Sequence, residues 1–149
     1  MNILALDLGT KCGWACSNGE SGVWNLKPKS TESIGQRYVK FEQHLSIYGA
    51  LYDCGADLIV YEEVHAHSAV DAAHVYGALQ GILQLFCINN GIEYKGVGVG
   101  TIKKHATGKG NADKEAMIKA AITKFKSINI MDSNHADALW LLDYVTSHQ

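Results

Sequence analysis

The sequence has little that would divide the chain or tie it to a special environment. Proline occurs once in 149 residues, at Pro28, and there is no internal repeat or low-complexity tract. No segment therefore reads as an interdomain linker, and residues 1–149 are expected to form one domain. No apolar run approaches the ~18 residues that a membrane-spanning helix needs. The opening MNILALDLGTK lacks the basic lead and long apolar stretch of a secretory signal. The four cysteines, Cys12, Cys16, Cys54 and Cys87, make no CxxC pair and are too sparse for a disulfide scaffold. They are expected to be reduced thiols of a cytoplasmic protein. What is present is apolar: 47% of residues are hydrophobic and 19% charged, which excludes a disordered chain.

Net charge is −2 and points to no partner, but its distribution does. Seven lysines (103, 104, 109, 114, 119, 124, 126) stand against Asp113 and Glu115 between positions 103 and 126, leaving −7 for the remainder. Such polarity suits a polyanion on one face and an acidic site elsewhere. A solvated lysine-rich helix is the plainer reading.

The apolar run Ile3–Leu6, ending at Asp7 and Gly9, predicts a strand buried on both faces, and Gly13–Ser17 and Gly22–Leu26 predict two more, joined by a turn at Asn18-Gly19. Ile34, Tyr38, Phe41, Leu45, Tyr48 and Tyr52 then mark an amphipathic helix stopped by Gly55. A strand at 58–61 runs into Glu62 and Glu63. A helix at 69–90 follows, with Val75, Leu79, Ile82 and Phe86 on one face, then a strand at 94–97 and helices at about 113–125 and 134–146. Strands alternating with crossover helices predict an α/β fold, a mixed five-stranded sheet with helices on both faces. Ligands of such sheets gather beyond the carboxyl ends of parallel strands. Asp7 and Glu62 both end apolar strands and so point to that edge.

Two carboxylates at neighbouring strand ends repel each other unless protonated or bridged by a cation. Hard oxygen donors select Mg²⁺ or Mn²⁺ over zinc. A third acid, Asp137, opens the apolar helix NHADALWLL between the small residues Ala136 and Ala138. Taken singly, each of these acids has a structural explanation, such as a helix-dipole contact for Asp137. Their joint placement suggests a metal site.

Four stretches carry a resemblance: ILALDLGTKCGWA, LIVYEEVHAH, VGTIKKHATGKGNADKEAM and NHADALWLL. In this order, and spanning nearly the whole chain, they resemble the RuvC family of Holliday-junction resolvases, especially its short phage-type members. The resemblance implies a ribonuclease-H-like fold, a homodimer, and cutting of four-way DNA junctions with two divalent metal ions. It matches the family's acids to Asp7, Glu62 and Asp137, its lysines to Lys103 and Lys114, and a junction-facing position to His65. It also places the 69–90 helix, with Gly77 and Gly81, at the dimer interface; packing against the sheet is the alternative for those glycines. The family usually has Asp or His three residues before the last acid, where this chain has Asn134. The fourth metal ligand is thus Asp132 or Asn134, Asp132 being preferred, with capping of the last helix as its other role. Glu63 is left between support of the site and solvent.

Phosphodiester hydrolysis by two metals about 3.5–4 Å apart needs such a set of carboxylates to hold the pair. Lys114 or Lys109 would then stabilise charge on the phosphate. Lys103, Lys104, His105, Thr107, Gly108, Lys109, Gly110 and Asn111 read as a basic segment with exposed amides that tracks a phosphate backbone. It is not a Walker A loop, because position 103 is Lys where that motif has Gly and position 110 is Gly where it has Ser or Thr. His65, His67 and His74 have no cysteine nearby and read as surface or DNA-facing rather than zinc-binding.

The leading reading is a metal-dependent, structure-selective DNA endonuclease acting on four-way or other branched DNA. A YqgF-like RNA-processing nuclease shares the D-x-G-T-K opening but not the later motifs. An actin-like ATP-binding domain needs two such domains, which 149 residues cannot supply. A junction-binding protein without catalysis is opposed by the three intact acids.

Overall fold

The computed structural model describes residues 1–51 and 55–149, the side chains of residues 50 and 51 excepted. The chain runs β1 (Ile3–Asp7), β2 (Lys11–Cys16), β3 (Ser21–Asn25), α1 (Gln36–Leu45), a π-helical turn (Ser46–Leu51), β4 (Leu58–Glu63), α2 (Val70–Asn90), β5 (Glu93–Gly98), α3 (Val99–Thr107), α4 (Lys114–Lys124) and α5 (Ser133–Ser147). The strands form one mixed sheet in the order β3-β2-β1-β4-β5. β1 pairs antiparallel with β2 and parallel with β4, which pairs parallel with β5. This is the expected α/β architecture. No helix among the described residues is long and apolar enough to cross a membrane.

Strand alternation divides the sheet into two faces. Leu4, Leu6, Trp14, Trp24, Ile59 and Tyr61 point to one, where Phe41 and Leu45 of α1 and Leu79, Leu83 and Phe86 of α2 complete the larger core. Ile3, Ala5, Val60 and Val97 point to the other, covered by Ile102 of α3, Met117 of α4 and Trp140 and Leu141 of α5. Continuing the alternation by one step aims Asp7 and Glu62 at the second face, under α3–α5. Glu63 goes to the first face, where its carboxylate lies over Gly96 of β5.

Several expectations are corrected. The basic segment does not present a run of free amides: residues 99–107 are helix α3, and the Gly108 amide caps it by donating to the Lys104 carbonyl at 2.8 Å. Buried Ile102, together with His105, which bonds Asp143 of α5 at 2.7 Å and packs against Trp140 and Tyr144, docks a helix whose other residues are mostly polar. The Lys109 and Ala112 amides are also engaged, by the Thr107 hydroxyl and the Lys109 carbonyl. Cys16 is disulfide-bonded rather than a reduced thiol, whereas Cys12 and Cys87 are free and buried. Pairing depends on tertiary proximity, which cysteine spacing does not encode. Ile34 precedes α1 and is 73% exposed, so the amphipathic stripe starts later than its periodicity suggested. Tyr52, the last member of that stripe, and Cys54 lie outside the described residues. On α2 the buried line is Tyr76, Leu79, Leu83, Phe86 and Cys87, with Val75 and Ile82 at its margin.

Candidate active site

Three elements deliver three carboxylates to one point. Asp7 closes β1, Glu62 lies one residue from the end of β4, and Asp137 sits in the second turn of α5. Each offers an oxygen within 4.8 Å of the other two. The electrostatic consequence is large. Burial, then the charges of Glu62 and Asp137, and a hydrogen bond shared with Glu62 push the Asp7 carboxyl well above the usual range. Burial and then Glu62 push Asp137 up to about 7, against the opposing charges of Lys103 and Lys114. Two lysines are thus insufficient to neutralise the cluster. An all-oxygen donor set that holds protons for want of positive charge fits a hard divalent cation.

No protein-family model and no curated protein sequence matches the chain. Solved structures do. RuvC from Thermus thermophilus superposes with a TM-score of 0.75 at 18% identity, covering 99% of this chain and 97% of that one. The chain has the RuvC fold. The same Thermus protein in complex with a Holliday junction substrate gives a TM-score of 0.70 at 18% identity, over 95% of this chain and 90% of that one. The fowlpox virus Holliday junction resolvase gives 0.59 at 13% identity over the full length of both.

Within this RuvC fold, Asp137 is positioned by the seating of α5 on the sheet. A side chain at Gly13 of β2 would collide with the backbone carbonyl of Asn134, so glycine lets the first turn of α5 rest directly on β2. Ala136 and Ala138, both fully buried, permit the same close approach on either side of Asp137. His135 is 2% exposed and locks the turn. Its Nδ1 accepts from the Met131 amide at 3.1 Å, which leaves the proton on Nε2 to donate to the Ser21 hydroxyl at 2.8 Å. Burial holds its pKa below the ordinary histidine value, consistent with a neutral ring.

Asp132 takes the capping role. Its Oδ1 accepts from the His135 amide at 2.9 Å, while Oδ2 accepts only a long 3.4 Å bond from the Asn134 amide group. It does not join the three acids that come within mutual reach, although its charge adds to the rise at Asp7 and Asp137. Glu62 is steadied from behind. The Tyr76 hydroxyl donates to the Glu62 carbonyl at 2.9 Å and accepts from the Val64 amide at 3.0 Å, clamping the end of β4.

Lys103 on α3 and Lys114 at the start of α4 are near enough for their charges to act on Asp137. Lys104 and Lys109 are exposed, and His65 is exposed in the loop after β4. Sequence reasoning missed Gly13, His135 and Tyr76 as positioning residues. The small residues around Asp137 were the one available signal; nothing local marks Tyr76.

Proposed function

We propose that this chain is a divalent-metal-dependent endonuclease that cuts four-way or other branched DNA. The observation that carries the reading is the convergence of Asp7, Glu62 and Asp137 at the carboxyl edge of the parallel strands. Both resolvases that share the fold are named for Holliday-junction substrates, which makes branched DNA the substrate class of choice. Asp7, Glu62 and Asp137 would hold two Mg²⁺ or Mn²⁺ ions. The Asp132 Oδ2, weakly engaged, is the preferred fourth oxygen. When bound, such ions activate water and offset charge on the leaving oxygen.

The protein's own residues prepare the site. Burial and mutual repulsion favour protons on Asp7 and Asp137 that a bound cation would displace. Lys114 and Lys103 place positive charge where a phosphoryl group would gather negative charge. Lys104, Lys109 and His65 contact the DNA backbone around the site. A homodimer would set two such sites about one two-fold axis, matching paired cuts across a four-way junction. The outer face of α2 supports this: Gly77 and Gly81 have open space above them, beside Leu85 and Ile88, which are 60% and 68% exposed.

The test is to incubate the purified protein with four-way, three-way and linear DNA, and with RNA, in Mg²⁺, Mn²⁺ or EDTA. Metal-dependent paired nicks on branched DNA are expected. Cleavage of RNA alone would select the YqgF-like alternative, and binding without incision a non-catalytic junction binder.

A further inference from the structure

The charge balance conceals a second basic region. Between positions 11 and 40 there are five cations, Lys11, Lys27, Lys29, Arg37 and Lys40, against only Glu20 and Glu32. The sheet gathers part of this set at the catalytic edge. Asp7 pairs with Gly13 and Gly13 with Val23, whereas Lys11 pairs with Asn25, the last residue of β3. Lys11 and the start of the following loop therefore lie about 7 Å further out than the Asp7 row, and about 5 and 10 Å to its side. Alternation along β2 puts Cys12, Trp14 and Cys16 in the larger core, so Lys11 points to the face that carries Asp7.

The loop itself is built to present charge. Lys40 donates to the Lys27 carbonyl at 3.0 Å and pairs with Glu32 at 3.2 Å. The same Glu32 oxygen accepts from the Lys29 amide at 2.7 Å. Lys40 and Glu32 thus neutralise one another while stapling the backbone on both sides of Pro28. The Lys27 and Lys29 ammonium groups are left outside the staple. Neither they nor Lys11 enter any salt bridge among the described residues, and all three are exposed. The lysines of α3 and α4 flank the acids from the β5 side; this loop flanks them from the β3 side.

We propose that Lys11, Lys27 and Lys29 form a second phosphate-backbone surface, which carries branched DNA across the catalytic edge on the side opposite α3 and α4. The proposal rests on the nuclease reading and adds the path of the DNA. At ~3.4 Å per nucleotide along one strand, the offset corresponds to phosphates some three to four nucleotides from the cut.

The experiment compares the full-length protein with K11A/K27A/K29A, binding to a synthetic four-way junction without metal over a range of NaCl. The triple variant should keep its unfolding midpoint, lose at least tenfold in affinity at 100 mM salt, and show a log K against log salt slope shallower by about three per bound protomer. K11R/K27R/K29R should restore both. K95A, an exposed lysine on the far edge strand β5, should leave the slope unchanged. An unchanged slope in the triple variant, with wild-type binding intact, overturns this surface and leaves the nuclease reading standing. An equal loss in K95A also overturns it, because net charge alone would then account for the effect. Absence of wild-type binding to branched DNA removes both readings.

Discussion

The two faces of the sheet are built from the same strands yet do opposite work. On the α1–α2 face, Trp24 lies among Trp14, Phe41, His44 and Tyr48, with Trp24 and His44 stacked at 4.8 Å in an aromatic core. On the α3–α5 face, small residues (Ala5, Val60, Ala136, Ala138) beside Met117, Trp140 and Leu141 let the helices come close enough to bring Asp137 against Asp7 and Glu62. One strand shows the contrast: on β4, Tyr61 packs into the aromatic core and Glu62, its neighbour, enters the acid cluster. The lesson is that one face supplies stability so that the other can carry charges that oppose folding.

The sharpest way to break the comparison is at the acids. Asp7→Asn and Glu62→Gln should each reduce cleavage of branched DNA by about 10³-fold or more, with junction binding largely kept. Retained wild-type cleavage in either variant removes the site. Phe41→Ala, in the aromatic core, should instead cost about 3–5 kcal/mol in chemical denaturation while leaving divalent-cation affinity of the folded protein unchanged.

A pair of glycines tests how each face tolerates a methyl group. Gly13→Ala sets a side chain against rigid α5 backbone and should destabilise by about 3 kcal/mol, with weaker cation binding as Asp137 shifts. Gly96→Ala meets the Glu63 side chain, Cβ included, at 3.1–3.2 Å rather than backbone at 1.9 Å, and should cost about 1 kcal/mol, well below Gly13→Ala.

The acids also predict an unusual pH dependence. Asp137 titrates near 7 in the folded protein, against about 4 for an unperturbed carboxyl, and Asp7 shifts in the same direction. Between these values the folded chain binds more protons than the unfolded chain, so stability falls as pH rises through the window. In EDTA the unfolding midpoint should therefore drop from pH 5 to pH 8. Millimolar Mg²⁺ should recover it at pH 8, and Asp137→Asn should flatten the profile. The smallest effect is expected at Glu63, whose carboxylate lies on the opposite face: Glu63→Gln should change cleavage by less than about twofold.

Much of this was legible because buried strands show as short continuous apolar runs. Those runs, ending in Asp7 and Glu62, located both acids at one edge, and the flanking alanines flagged the seating of α5. Helix α3 was not legible, since Ile102 is its one buried residue and its other anchor, His105, bonds Asp143, 38 residues away in the chain. The Cys16 disulfide was not legible either, because no spacing rule joins residues that meet only after folding. The locking role of His135 was not legible, because its two partners are Met131 and Ser21, and the second of these is 114 residues away.

Local order, then, is written along the chain: which segments alternate, where strands end, and which residue types can ligate a hard cation. Which acids share an ion, which cap a helix, and which lysines face the same edge are questions of long-range geometry. Asp132 and Asp137 are chemically alike and five residues apart. The α5 backbone, brought against Gly13, is what turns one into a cap and the other into a member of the acid cluster. Bonding partners in space depend on how the layers pack, and packing is a property of the whole chain.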